Sequence, residues 1–220
     1  MEKQTPKVYV SQSKRRKIIQ KHSNAIAHYQ PLIEQRFSEL KQEPIAIGKV
    51  TVKDMRDLSR GLRSYSWQEC RSPSQFALFY PLLYVASIYR RNQAENDFFA
   101  HWFNRDLYLS FNHGTEILQE FLDQTVVHEL SHGLWERLKG ITPFDSEAFA
   151  NPDKFKFANE GFASYCEYEF FRDLYPQEIP KNHNPHKEPY IQERSAIERL
   201  VNAHGEKILL EIPKNWRELT

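Results

Sequence analysis

The sequence predicts an α+β fold, and three observations carry that expectation. Apolar residues recur at helical spacing from Ile18 to Leu40 and again from Ile117 to Leu138. Between them, residues 62 to 112 are dense in Tyr, Phe, Trp and Val, the residue types that fit a pleated sheet. With 220 residues, 40% hydrophobic and 14% aromatic, the chain can build a core of its own, and 7 Gly with 12 Pro exclude a biased repeat. Thirty Lys+Arg against 29 Asp+Glu leave a formal charge of +1, which argues against nucleic acid or an anionic membrane as a partner. No apolar run approaches the roughly 20 residues needed to span a bilayer, so no membrane association is expected. The N-terminus lacks the pattern of a secretory signal, and a cytoplasmic location is the expectation. Cys70 and Cys166 are too few for a disulfide framework and are read as free thiols.

Taken in order, Ile18, His22, Ile26, Tyr29, Ile33, Phe37 and Leu40 lie on one face of a long amphipathic helix. Pro31 predicts a kink or break in it, and Pro44 closes the segment, so residues 1–43 read as an N-terminal helical extension and 44–220 as the main domain. Ile45 to Val52 reads as a short strand and Lys53 to Arg60 as a basic helical turn stopped by Gly61. Residues 62 to 112 read as a meandering sheet, ending in a strand over 106–111 with Leu107, Leu109 and Phe111 inward and Tyr108 and Ser110 outward. His113-Gly114 supplies the turn after it. A helix over Thr115 to Lys139 ends at Gly140, and a second helix is expected from Asn159 to Leu174. Pro176, Pro180, Pro185 and Pro189 predict an extended loop, followed by a helix from Tyr190 to His204 and a short tail.

Chemistry concentrates in the helix over 115–139. His128-Glu129-Leu130-Ser131-His132 is an H-E-x-x-H pentapeptide, which this composition would produce by chance roughly 0.03 times per chain. Four residues advance a helix by about 400°, so the two imidazoles stand one above the other and can grip one metal. Glu129 sits about 100° round, where a general base for water activated by the metal is wanted. Val126, Val127, Leu130 and Leu134 give this helix a buried side, as an active-site helix requires. A catalytic zinc keeps three protein ligands, so a third is expected downstream, and Phe157-Ala158-Asn159-Glu160-Gly161-Phe162-Ala163-Ser164-Tyr165 offers a carboxylate among small residues.

The pairing of H-E-x-x-H with N-E-G-F-A-x-Y resembles the gluzincin metallopeptidases, particularly the aminopeptidase N-like branch and the compact minigluzincins. That resemblance implies a zincin-like domain with a small mixed sheet, an active-site helix and a helical C-terminal part. It implies one zinc ion held by His128, His132 and Glu160, with Glu129 as base and proton shuttle. Gly161 and Ala163 are expected to let the second helix approach the first, Tyr165 to reach into the site, and Asn159 to hold the preceding loop. Glu167 and Glu169 lack a comparable context. Tyr190 is favoured as the donor to the oxyanion, with His183 and His186 as alternatives. Tyr108, Leu109 and Ser110 match the strand edge on which zincins pair an extended peptide.

Departures from the family are specific. The interval between His132 and Glu160 is longer than in many gluzincins, so a loop over 140–156 must be accommodated; Ser164 stands where thermolysin-like members have aspartate. The exopeptidase motif G-A-M-E-N is absent, so endopeptidase action on a peptide or protein substrate is expected. Two rivals remain: a latent enzyme whose cleft is filled by residues 190–220 or the N-terminal helix, and a catalytically silent, zincin-like regulatory or DNA-associated protein. The run Lys14-Arg15-Arg16-Lys17 is read as a solvated helix start rather than a nucleic-acid contact. The sequence leaves the oligomeric state open.

Overall fold

The computed structural model describes residues 9–70, 72–97, 100–112, 115–140, 150–174 and 190–219. It is a mostly helical α+β arrangement with one small mixed sheet. The Pro-rich segment with His183 and His186, the His113-Gly114 turn and most of the expected 140–156 loop lie outside the described residues.

The chain divides into two compact units. One comprises Met1–Asn24 with Val50–Thr125, the other Ala25–Lys49 with Val126–Thr220. Helix α1 (Gln12–Lys41) runs from one into the other, so no boundary falls at residue 43. The helix passes through Pro31 without a break. Pro31 is on the solvent side, where water can replace the lost amide donor, while Ile26, Tyr29, Ile33 and Phe37 are buried as their spacing predicts.

In the first unit β1 (Thr51–Asp54) pairs parallel to β3 (Asp106–Leu109), and β2 (Ala100–Phe103) pairs antiparallel to β3 on its other side. Asn104 and Arg105 join β2 to β3 at φ 49° and 64°, the doubly left-handed backbone of a tight hairpin turn. The rest of the expected meandering sheet is helical. After a single 3-10 turn at Met55–Asp57 come α2 (Leu58–Glu69) and α3 (Pro73–Asp97). Gly61, expected to stop a helix, lies inside α2, where a Cβ would come 2.2 Å from the Tyr108 hydroxyl. Its missing side chain makes the room that Tyr108 fills in a core with Met55, Leu58, Tyr65, Ala94 and Phe103. Tyr108 and Ser110 therefore do not face outward: β3 is buried on both faces, as suits a central strand. At the edge of this unit Arg15 donates to Asp54 at 2.8 Å and lies over Phe111, so one of the four basic residues at the helix start is tied into the fold.

The second unit is built on three helices besides its part of α1. The expected 115–139 helix is divided into α4 (Thr115–Glu120), in the first unit, and α5 (Leu122–Lys139), which enters the second. Helix α6 (Pro152–Leu174) starts two turns earlier than predicted, and α7 (Ile191–His204) follows. Leu134, Trp135 and Phe162 are at most 1% exposed, each worth roughly 1.5–3 kcal/mol of burial. Phe37 packs on Phe162, Trp135 on Phe155 and Phe162, and Phe155 on Trp216 of the C-terminal tail.

Candidate metal centre

Helix α5 presents His128 and His132 from one stripe while its other side sinks into the unit: Val126, Val127, Leu130 and Leu134 are at most 1% exposed. The apolar face fixes the roll of the helix, and the roll aims the imidazoles. Helix α6 brings Glu160 across to them. Its Oε2 lies 3.3 Å from His128 Nε2 and 3.6 Å from His132 Nε2. These three residues form a group that can hold a metal ion, their ligand atoms all within 4.8 Å of one another. Donors placed tetrahedrally around a centre 2.0–2.1 Å away are separated by about 3.4 Å, so the spacing found here suits such an ion.

The other ring nitrogens are also held. His128 Nδ1 pairs with Glu167 Oε2 at 3.1 Å, and His132 Nδ1 with Asn159 Oδ1 at 3.1 Å. With both Nδ1–H groups donating to oxygen, the lone pairs of both Nε2 atoms point to the same place, as metal-ligating histidines require. Asn159 thus supports a ligand side chain, His132, instead of the preceding loop. Glu167 is the residue that sequence reasoning passed over. The available signal was helical phase: seven residues after Glu160 returns to within about 20° of the same face.

Electrostatics fit the same picture. Burial opposes charge on His128, but hydrogen bonds to Glu160 and Glu167, with the nearby Glu129 carboxylate, outweigh it and push its pKa up to about 10. Glu160 would be raised by burial, yet the His128 hydrogen bond and the charges of His132, His128 and Lys156 hold it down to about 2. His132 is lowered, chiefly by burial. Without a metal, therefore, a proton on His128 sits between the two ligand atoms where a cation would sit. Metal binding has to displace it.

Glu129 is 7% exposed, and its charge is felt by both His128 and Tyr190. Tyr190 precedes α7 in a left-handed conformation, φ 68° and ψ 23°, unusual for a non-glycine residue. Its ring stacks against His128, 6.1 Å between centroids and 20° between planes. Burial first, then the Glu160 and Glu129 carboxylates, raise its pKa above the usual phenol value, so the hydroxyl keeps its proton.

Three expectations need correction. Tyr165 does not reach the metal group; five residues after Glu160 it lies about 140° round α6, and it lines a small cavity with Ile33, Phe37, Ser131 and Cys166. Gly161 does not serve the approach of α6 to α5. A Cβ there would meet the Glu193 backbone oxygen at 2.7 Å, so the close contact is with α7. Tyr108, Leu109 and Ser110 do not form an open edge: β3 is hydrogen-bonded on both sides, and all three side chains are at most 1% exposed.

Cys166 is buried, and desolvation pushes its thiol up to about 12, which removes it as a nucleophile. Among the described residues, no helix is long and apolar enough to cross a membrane. Comparison with protein-family models, with curated proteins and with solved structures finds no match to this chain.

Proposed function

We propose that the chain is a zinc-dependent peptidase of gluzincin type, acting as an endopeptidase. The observation that supports this most is the convergence of His128 Nε2, His132 Nε2 and Glu160 Oε2, with both Nδ1 atoms already engaged by Glu167 and Asn159. Two neutral imidazoles and one carboxylate are a donor set suited to catalytic zinc. When bound, zinc would polarise the scissile carbonyl and lower the pKa of water towards neutrality.

The protein's own groups then divide the work. Glu129, buried beside His128, takes the proton from the attacking water and returns it to the departing amine. Tyr190, its phenol kept protonated, donates a hydrogen bond to the oxygen on which negative charge develops. Glu167 and Asn159 keep the two imidazoles from turning. The stacking of Tyr190 on His128 also favours the latent form of this reading, in which the segment beginning at Tyr190 lies over the site until substrate displaces it.

Zinc content and peptide-library cleavage, measured on wild type, Glu129→Gln and Glu160→Ala, test the proposal. About one zinc per wild-type chain is expected, retained in Glu129→Gln with cleavage reduced about 10²- to 10⁴-fold, and largely lost in Glu160→Ala. Equal cleavage by Glu129→Gln would sink the assigned base. Zinc binding without cleavage, before or after limited proteolysis, would favour a catalytically silent regulatory or DNA-associated protein.

A further inference from the structure

Helix α3 is apolar on two opposite sides. At about 100° per residue, Phe76, Tyr80, Tyr84, Ser87 and Ala94 share one side. That side is occupied. Trp67 of α2 meets Phe76 edge-on at 4.4 Å, Phe76 leans on Tyr80, and the Arg63 guanidinium lies 5.0 Å over Tyr84 and donates to Ser87. Ala94 is in the core of the unit.

The opposite side carries Leu78, Leu82, Val85 and Tyr89, at successive spacings of 4, 3 and 4. These four are 74%, 68%, 66% and 68% exposed. Together they present on the order of 600 Å² of apolar side chain, the upper end of what one patch on a monomer shows. With the partly exposed Tyr80 and Tyr84 beside them, the surface approaches the roughly 800 Å² per partner that a stable pair of proteins buries.

We propose that this face joins two copies of the chain, α3 against α3, antiparallel about a two-fold axis passing between Leu82 and Val85. The 4-3-4 spacing is the seam of paired helices. The axis sets Leu82 of one copy opposite Val85 of the other, and Leu78 opposite Tyr89. No Asp, Glu, Lys or Arg occurs from Pro73 to Tyr89, so two copies meet along the seam without like charges opposed. A lipid surface fits less well. A helix lying in a membrane interface carries its basic residues along a solvated face, whereas here the face opposite the seam packs on α2.

Sedimentation equilibrium of the full chain over a concentration series, up to about 100 µM, tests this. The wild type is expected at twice the 26.2 kDa chain mass. Leu82→Glu and Val85→Lys, each alone, are expected as monomers with unchanged circular dichroism. Mixed together they are expected to re-form dimers, since the antiparallel register brings the new carboxylate to the new ammonium. A wild type that stays monomeric overturns the proposal: flotation with phosphatidylcholine vesicles would then indicate a lipid surface, and no flotation a different protein. Variants that remain dimeric, or a mixture that remains monomeric, would equally overturn it.

Discussion

Helices α5 and α3 are both long and rich in apolar residues, yet they spend them differently. Helix α5 buries its apolar side completely and turns two histidines the other way. Helix α3 buries one apolar side and leaves another in solvent. A single apolar face fixes how a helix is rolled, and whatever polar groups lie opposite acquire a defined direction. Two apolar faces fix the roll no better and leave a surface whose partner must come from elsewhere.

The difference is sharpest in stability. Leu134→Ala, which removes a side chain with no exposure, is expected to cost about 2–5 kcal/mol in denaturant unfolding. Leu78→Ala, at the dilution where α3 is unpaired, is expected to change stability by no more than about 0.5 kcal/mol. Equal costs would break the comparison, because they would mean that the outer face of α3 is packed in the single chain.

An intermediate effect is expected at the metal group. Glu167→Ala removes the oxygen facing His128 Nδ1 and should weaken zinc binding about 10- to 100-fold in competition with a chelator, with circular dichroism unchanged. Unaltered affinity would leave Glu167 as an incidental neighbour.

The smallest effect concerns the first unit's own buried imidazole. His22 is fully buried in α1 with Nδ1 on the Ile18 carbonyl of its own helix, and burial lowers its pKa despite the carboxylate of Asp123. It is neutral when folded, whereas the unfolded chain takes up a proton near the ordinary histidine value of 6.5. Stability is therefore complete above that pH and declines as pH falls below it, until the lowered folded value is reached. Tm measured against pH for wild type and His22→Leu checks this. The wild type should lose more on acidification, and parallel curves would refute it.

The metal ligands were legible because they depend on local spacing inside helices. His128, Glu129 and His132 needed only the period of one helix, and Glu160 a motif of nine residues. Glu167 was hidden because its role depends on where α6 begins. With the helix started at Asn159, its second turn looked like an ordinary solvated end; with the start at Pro152, both carboxylates fall on one long face. The misreading of residues 62 to 97 as sheet has a related origin. Aromatic and branched side chains on both sides of α3 erase the contrast that marks a helix, so strand propensity dominated although Phe76, Tyr80, Tyr84 and Ser87 kept the helical interval. Leu107, Leu109 and Phe111 were placed inward correctly, but a two-sided burial of β3 depended on Gly61, far away in sequence.

Gly161 stands next to Glu160 and touches the backbone of Glu193, three residues beyond Tyr190. The separation between the third ligand and the tyrosine beside His128 is thus gauged by a single hydrogen atom. Any larger substituent at this position would wedge the two helices apart and retune both groups at once, so ligand and tyrosine share one mechanical tolerance.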